Sequence, residues 1–265
     1  MERLEIDAGG LTFSARTDGP SGGRPVILLH GFPQSSWTWC DLLERLARAG
    51  YRGVAPDQRG YSPRARPPDV AAYAVPHLAA DVLAIADTME MPVFDLVGHD
   101  WGGLLGWVVA SRHPDRVRSL VVVSTPHPRA VASEPRAGAA PPGGTALESS
   151  LVSSGLDPRS AREYTDALAA PGALDAALNG YRALDRRDVE GLAPVVVPTR
   201  YIWPSGERAF GRDAAEATAE WVAGRYRFDV LEGVGHWVPE TAPDVLARMV
   251  LDHLASAEGA SATMG

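Results

Sequence analysis

The run Gly98-His99-Asp100-Trp101-Gly102-Gly103 constrains this chain more than any other stretch. Pro92 to Val97 before it is an apolar run of the kind that forms a buried strand, and Leu104 to Ser111 after it reads as the start of a helix. Asp100 is therefore expected at the apex of a sharp strand-to-helix turn. Gly98 and Gly102 give the turn room and let helix and strand approach, while the helix N-terminus directs amide dipoles toward negative charge at residue 100. Turns of this form present a nucleophile, usually serine; here the position holds a carboxylate. Taken alone, the hexapeptide also fits a structural aspartate in a plain turn, though less well than a nucleophile, so the decision falls to its context.

The context arrives in chain order. Tyr226 to Leu231 reads as the last strand, and His236 follows it in Glu232-Gly233-Val234-Gly235-His236-Trp237, ahead of a helix near Pro243 to Leu254. Between Asp100 and His236 comes the strand Thr199 to Trp203 and then the loop Pro204-Ser205-Gly206-Glu207-Arg208, which gives the order nucleophile, acid, histidine. Glu207 is the expected orienting acid. Asp213 is its rival, but it lies ten residues past the strand and reads better as the N-cap of a helix Asp213 to Trp221. Near the N-terminus, the strand-like Pro25 to Leu29 leads into His30-Gly31-Phe32-Pro33-Gln34. The backbone N–H of Phe32 is expected to join that of Trp101 as an oxyanion hole, with His30 a structural residue that hydrogen-bonds the loop.

Together, His30-Gly31-Phe32-Pro33, Asp57-Gln58-Arg59-Gly60-Tyr61-Ser62, the Asp100 hexapeptide and Gly235-His236-Trp237 resemble the epoxide hydrolase branch of the α/β-hydrolase superfamily, over nearly the whole chain. The resemblance implies an α/β-hydrolase fold: a mostly parallel sheet with helices on both faces, a core of residues 1–124 and 193–265, and an inserted helical lid over 125–192. The lid is expected to be shortened and rich in Ala, Gly and Pro at 132–150. It further implies that Asp100 attacks saturated carbon to form an alkyl ester, that His236 activates the water that hydrolyses it, and that lid tyrosines serve the leaving oxygen. Tyr181, in Asn179-Gly180-Tyr181-Arg182, matches the family's Asn-x-Tyr-Arg pattern, with Gly180 in place of the usual aromatic. Tyr164 is the other lid tyrosine. It is a second leaving-group candidate, although its helical spacing with Ala161 and Leu168 favours packing.

Carbon–halogen hydrolysis shares the same ester chemistry, and Trp101 would serve it as a halide donor. Phe32 stands where many haloalkane dehalogenases carry Asn, no tryptophan occurs between Trp107 and Trp203, and Trp101 replaces the arginine that haloacetate enzymes tend to carry beside the nucleophile. A non-catalytic small-molecule binding protein and an ester or lactone hydrolase are the remaining alternatives on this scaffold.

Composition fits one α/β domain with a lid: 265 residues, 45% hydrophobic. A hairpin over Leu4 to Arg16 and strands near Val26, Val54, Val93, Val117, Arg200 and Phe228 are expected, alternating with helices. All 25 basic residues are arginine against 33 acidic ones, and no basic cluster points to nucleic acid or an anionic membrane. No histidine–carboxylate cluster has metal-ligand spacing and no G-x-G-x-x-G opens a helix, so no cofactor is implied and the expected partner is a small-molecule substrate. Cys40 is alone and reads as buried packing, His99 should point away from the site, and His127 reads as a hinge residue. Without a signal-like N-terminus or an 18-residue apolar run, a cytoplasmic protein is expected, as monomer or homodimer, with a frayed tail over Ala257 to Gly265.

Overall fold

In the computed structural model, which describes residues 1–131 and 145–261, the chain opens with a hairpin. Strands β1 (Glu2–Ala8) and β2 (Leu11–Asp18) are joined by Gly9 and Gly10, both at positive φ, as a tight two-residue turn requires. Strands β3 (Arg24–Leu29), β4 (Tyr51–Pro56), β5 (Phe94–His99), β6 (Val117–Val123), β7 (Thr199–Gly206) and β8 (Tyr226–Gly235) complete one sheet, ordered β1-β2-β4-β3-β5-β6-β7-β8. The first three strands in that order pair antiparallel and the rest are parallel.

Helices cover both faces. Side chains alternate along each strand, so Ile27 and Leu29 of β3 pack with the helices α2 (Val75–Thr88) and α3 (Trp101–Arg112). Val26 and Leu28 face the other way, into α1 (Cys40–Arg48) and α10 (Pro243–Ser261). This burial on two faces explains why β3, β5 and β6 read as continuous apolar runs. Between β6 and β7 lie α4 (Thr145–Ser153), α5 (Pro158–Leu168), α6 (Ala173–Ala183) and α7 (Arg187–Glu190). Leu147, Leu151, Tyr164, Leu168 and Leu178 from these helices form a third apolar cluster with Phe32 and Trp237 of the sheet domain, which seats the insertion over the C-terminal ends of the strands.

Some expectations need correction. Residues 132–144 lie outside the described residues, and with them most of the Ala/Gly/Pro-rich stretch; the remainder, from Thr145, is helix. The helix expected over Asp213 to Trp221 is α8 (Arg212–Ala217) with a 3₁₀ turn at Thr218–Trp221. Its N-cap is Gly211, so Asp213 is an exposed residue of the first turn, favourable near the positive helix end but not a cap. Cys40 is half-buried at the start of α1. At the C-terminus α10 runs to Ser261 and buries Ala257, beyond where fraying was expected. The short α9 (Val238–Thr241) follows directly on His236 and Trp237. No helix among the described residues is long and apolar enough to cross a membrane.

Candidate active site

Asp100 sits between β5 and α3 with φ 54° and ψ −118°, a left-handed conformation that costs an aspartate about 1–3 kcal/mol. Three backbone-directed bonds hold it there: its N–H donates to Val123 at 3.3 Å, its carbonyl accepts from Leu104 N–H at 3.0 Å, and Thr125 Oγ1 donates to the same carbonyl at 2.9 Å. The flanking glycines are steric necessities. A β-carbon on Gly98 would collide with the Gly102 carbonyl, and one on Gly102 with that of Leu29.

The carboxylate meets the two loops foreseen for it. Phe32 N–H donates to Asp100 Oδ1 at 3.0 Å, and the Trp101 N–H also faces the carboxylate. Oδ2 lies 3.7 Å from His236 Nε2. On the far side of the imidazole, Nδ1–H donates to Glu207 Oε2 at 2.6 Å, while Glu207 Oε1 accepts from the N–H groups of Arg208 and Ala209 at 2.8 Å. Glu207 occupies the first position after β7 and its side chain is almost fully covered, so it can orient a histidine without being drawn away by solvent.

Electrostatics assigns charges to this trio. Burial raises the Asp100 pKa, and the His236 charge and the N–H groups of Phe32 and Trp101 only partly oppose it. Burial also works against an ionised Glu207, but the hydrogen bond and charge of His236 outweigh it and bring its pKa below the ordinary value. For His236, burial favours the neutral ring; the hydrogen bond and charge of Glu207, with Asp100 behind, overcome that and raise its pKa to about 9. The folded value thus lies above the 6.5 of a free histidine. Its contribution to stability is complete below about pH 6.5 and is lost as pH rises through 9, amounting to about 3 kcal/mol over that window. Buried histidines with lowered pKa and buried tyrosines with raised pKa also change charge on unfolding near the two ends of this window, so the comparison with a His236 variant isolates this histidine. Urea unfolding from pH 6.5 to 10 should show this decline in the wild type and a much flatter profile in His236→Gln; parallel profiles would place the raised pKa elsewhere.

Above the trio, Tyr181 of α6 packs edge-on against Trp101, with ring centroids 4.9 Å apart, and against Phe32 at 5.7 Å. Burial raises its pKa, as does the nearby Asp100 charge, with the Trp101 indole in partial opposition. Its hydroxyl is therefore neutral and close enough to Asp100 to feel the carboxylate's charge.

Tyr164 is placed differently from the expectation of a second leaving-group donor. Its ring is fully buried against Trp37, and its hydroxyl donates to Glu240 Oε1 at 2.5 Å. The same oxygen accepts from Gln34 Nε2 and Thr38 Oγ1, both at 2.8 Å, while Oε2 is buried with no partner among the described residues. Gln34 Oε1 in turn accepts from Gly31 N–H at 3.0 Å and faces His99 Nδ1 at 2.7 Å. His99 Nε2 lies 2.9 Å from the carbonyl of His236. A buried polar chain thus runs from α5 through Glu240, Gln34 and His99 to the backbone of Gly31 and His236. His99 does not point away from the site as expected: its ring lies 4.8 Å from that of His236, with Nε2 on the His236 carbonyl. Nothing in the spacing of residues 34, 38, 164 and 240 announces this chain, because each member makes its bond across the tertiary fold.

His30 accepts from Gln58 N–H at Nε2 and therefore carries its proton on Nδ1, which donates to the Gly31 carbonyl. It braces the Phe32 loop and does not face Asp100. His127 stacks on Trp221, with Arg129 over the other ring contact at 4.0 Å, and its N–H donates to Thr218 Oγ1. That pins the start of the insertion to the segment after β7. Among the described residues no group of three His, Cys, Asp or Glu is placed to hold a metal ion.

Residues 24–145 match the α/β-hydrolase fold family. The α/β-hydrolase superfamily protein YfhM of Bacillus subtilis is 28% identical over 94% of this chain and 96% of its own length. Epoxide hydrolase A of Mycobacterium tuberculosis is 27% identical over 97% of this chain and 98% of its own. Among solved structures, one of a group of epoxide hydrolases from metagenomes of hot environments superposes with a TM-score of 0.84 at 27% identity, covering 96% of this chain and 98% of that one. With the sheet order and the elbow already described, these matches show that the chain is an enzyme of the α/β-hydrolase superfamily, similar along its length to epoxide hydrolases.

Proposed function

We propose that this enzyme opens epoxides through a covalent ester on Asp100 and hydrolyses that ester to a diol. The observation that carries the reading is the carboxylate at the elbow apex, with Oδ1 on the Phe32 N–H and Oδ2 toward His236. A carboxylate attacking an ester carbonyl would give a high-energy anhydride, whereas attack on saturated carbon gives a stable alkyl ester, which divides one hard step into two easier ones.

In the first step Oδ2 forms a bond to an epoxide carbon and the C–O bond of the ring breaks. The departing oxygen takes the proton of the Tyr181 hydroxyl, whose raised pKa keeps it protonated until an alkoxide is present to receive it. Esterification removes the negative charge of Asp100, one of the influences that hold His236 protonated. The ring then titrates at lower pH and becomes the base for the second step. Water gives its proton to Nε2, its oxygen bonds to the ester carbonyl carbon, and the resulting oxyanion at Oδ1 receives the N–H groups of Phe32 and Trp101. Collapse breaks the bond between the former ester carbonyl carbon and Oδ2, which departs as an alkoxide and takes the proton from Nε2 to complete the diol. The other water proton passes from the new carboxyl to the Tyr181 phenolate, which restores the carboxylate and the tyrosine. Each such donor is worth about 3 kcal/mol of barrier.

A panel of terminal epoxides and haloalkanes tests the reading. Diol formation without halide release is expected, and Tyr181→Phe should slow ester formation in single-turnover experiments by about 10²-fold or more while leaving ester hydrolysis less affected. Halide release from haloalkanes with no diol from epoxides would transfer the assignment to carbon–halogen hydrolysis.

A further inference from the structure

Gly180 of α6 leaves open space over the Trp101 indole. A β-carbon at 180 would lie 3.7 to 3.9 Å from Cη2, Cζ3 and Cζ2 of Trp101, so any larger side chain would extend over that indole. Instead a cavity of about 30 Å³ is present, lined in part by Trp101, Leu105, Leu78, Ala177, Gly180 and Tyr61.

Three of the polar side chains that line it are committed elsewhere, and Gln58 is one of them, its Nε2 donating to the His30 carbonyl at 2.6 Å. Arg59 donates to both oxygens of Asp81 at 2.6 and 2.7 Å and to the Ala72 carbonyl, so its charge is matched and it offers no free site to an anion. The Tyr73 hydroxyl donates to the Pro67 carbonyl. What remains is a mostly apolar space whose volume exceeds the roughly 10–15 Å³ a single water needs. It shares a wall with the reacting centre: Trp101 lines the niche, packs against Tyr181 at 4.9 Å and turns its backbone N–H to the Asp100 carboxylate, and Tyr61 packs edge-on at 4.5 Å against His30.

We infer that this niche is a substrate subsite that accepts a short apolar arm, on the order of two to three carbons, and that the absence of a side chain at Gly180 is what opens it. The inference rests on the epoxide reading only for the identity of the reacting group.

The test is the free-energy increment per methylene. Along a series of 1,2-epoxyalkanes, kcat/KM of the wild type should rise about fourfold for each carbon until the niche is full. In Gly180→Phe that rise should vanish, and in Gly180→Ala it should stop about one carbon sooner. Both substitutions replace glycine inside α6 with a better helix former, which favours retention of the fold. The same increments are measured for binding of unreactive n-alkanols, ethanol to pentan-1-ol, by calorimetry. Increments in the wild type that disappear in Gly180→Phe sustain the subsite even if no epoxide is turned over, an outcome that would refute only the reaction. Epoxide turnover with equal increments in the wild type and Gly180→Phe, or alkanol increments unchanged by the substitution, overturns the subsite and leaves the reaction standing.

Discussion

His236→Gln is expected to convert the enzyme into a trap that takes up one whole epoxide and keeps it. Glutamine cannot remove a proton from water, so the second step loses its base, while the first step needs only an ionised Asp100 and a proton for the departing oxygen. Turnover should fall by about 10⁴-fold or more, and the intact mass should rise by that of the epoxide, located on the peptide that contains Asp100. The charge balance adds a detail. The His236 charge opposes the upward push of burial on the Asp100 pKa. Without it the carboxylate is harder to ionise, so the adduct should form faster at higher pH than at lower. A haloalkane substrate would add its alkyl group without the halogen. Folded variant that gains no mass from any member of a broad panel would remove the ester mechanism.

Which features could be read from the sequence depended on how local their causes are. The elbow was legible because its requirements are written within six residues: glycines at 98 and 102 where a methyl would strike backbone, and an apolar strand before a helix. Strands β3, β5 and β6 were legible as apolar runs because both faces of a parallel sheet are covered. Chain order alone pointed to Glu207, since it demanded an acid directly after β7. The placement of Tyr164 was not legible in full. Its helical spacing indicated packing, but the Glu240 carboxylate that takes its hydroxyl lies 76 residues away, and Gln34, which shares that oxygen, is 206 residues from it. Contacts of that range follow from how the insertion docks on the sheet domain, which no periodicity encodes. The Gly180 niche was half visible. Sequence showed an absent aromatic, and only the fold shows that the space was left open above Trp101.

Asp100→Asn should abolish turnover in a protein at least as stable as the wild type, and that pairing separates a nucleophile from a structural turn residue. An amide oxygen carries no charge and cannot displace an epoxide oxygen at a useful rate, so activity should fall by about 10⁴-fold or more. Stability should move the other way. The net pKa shift of Asp100 is upward even with the His236 charge included, which means the folded protein holds the ionised carboxylate less comfortably than water does. Asparagine removes that penalty, still offers an oxygen to the Phe32 N–H, and tolerates the positive φ about as well as aspartate. A structural aspartate would behave in the opposite sense, since loss of a needed charge would lower the unfolding midpoint and reduce activity only through lost fold. The measurement is therefore double: urea unfolding at pH 7, and turnover in a preparation shown by mass to be free of deamidated chain. Lost activity with an undiminished midpoint is the expected result. Retained turnover would take the nucleophile's role from Asp100, and a large fall in midpoint would mark the strained turn as a structural device whose carboxylate the fold requires.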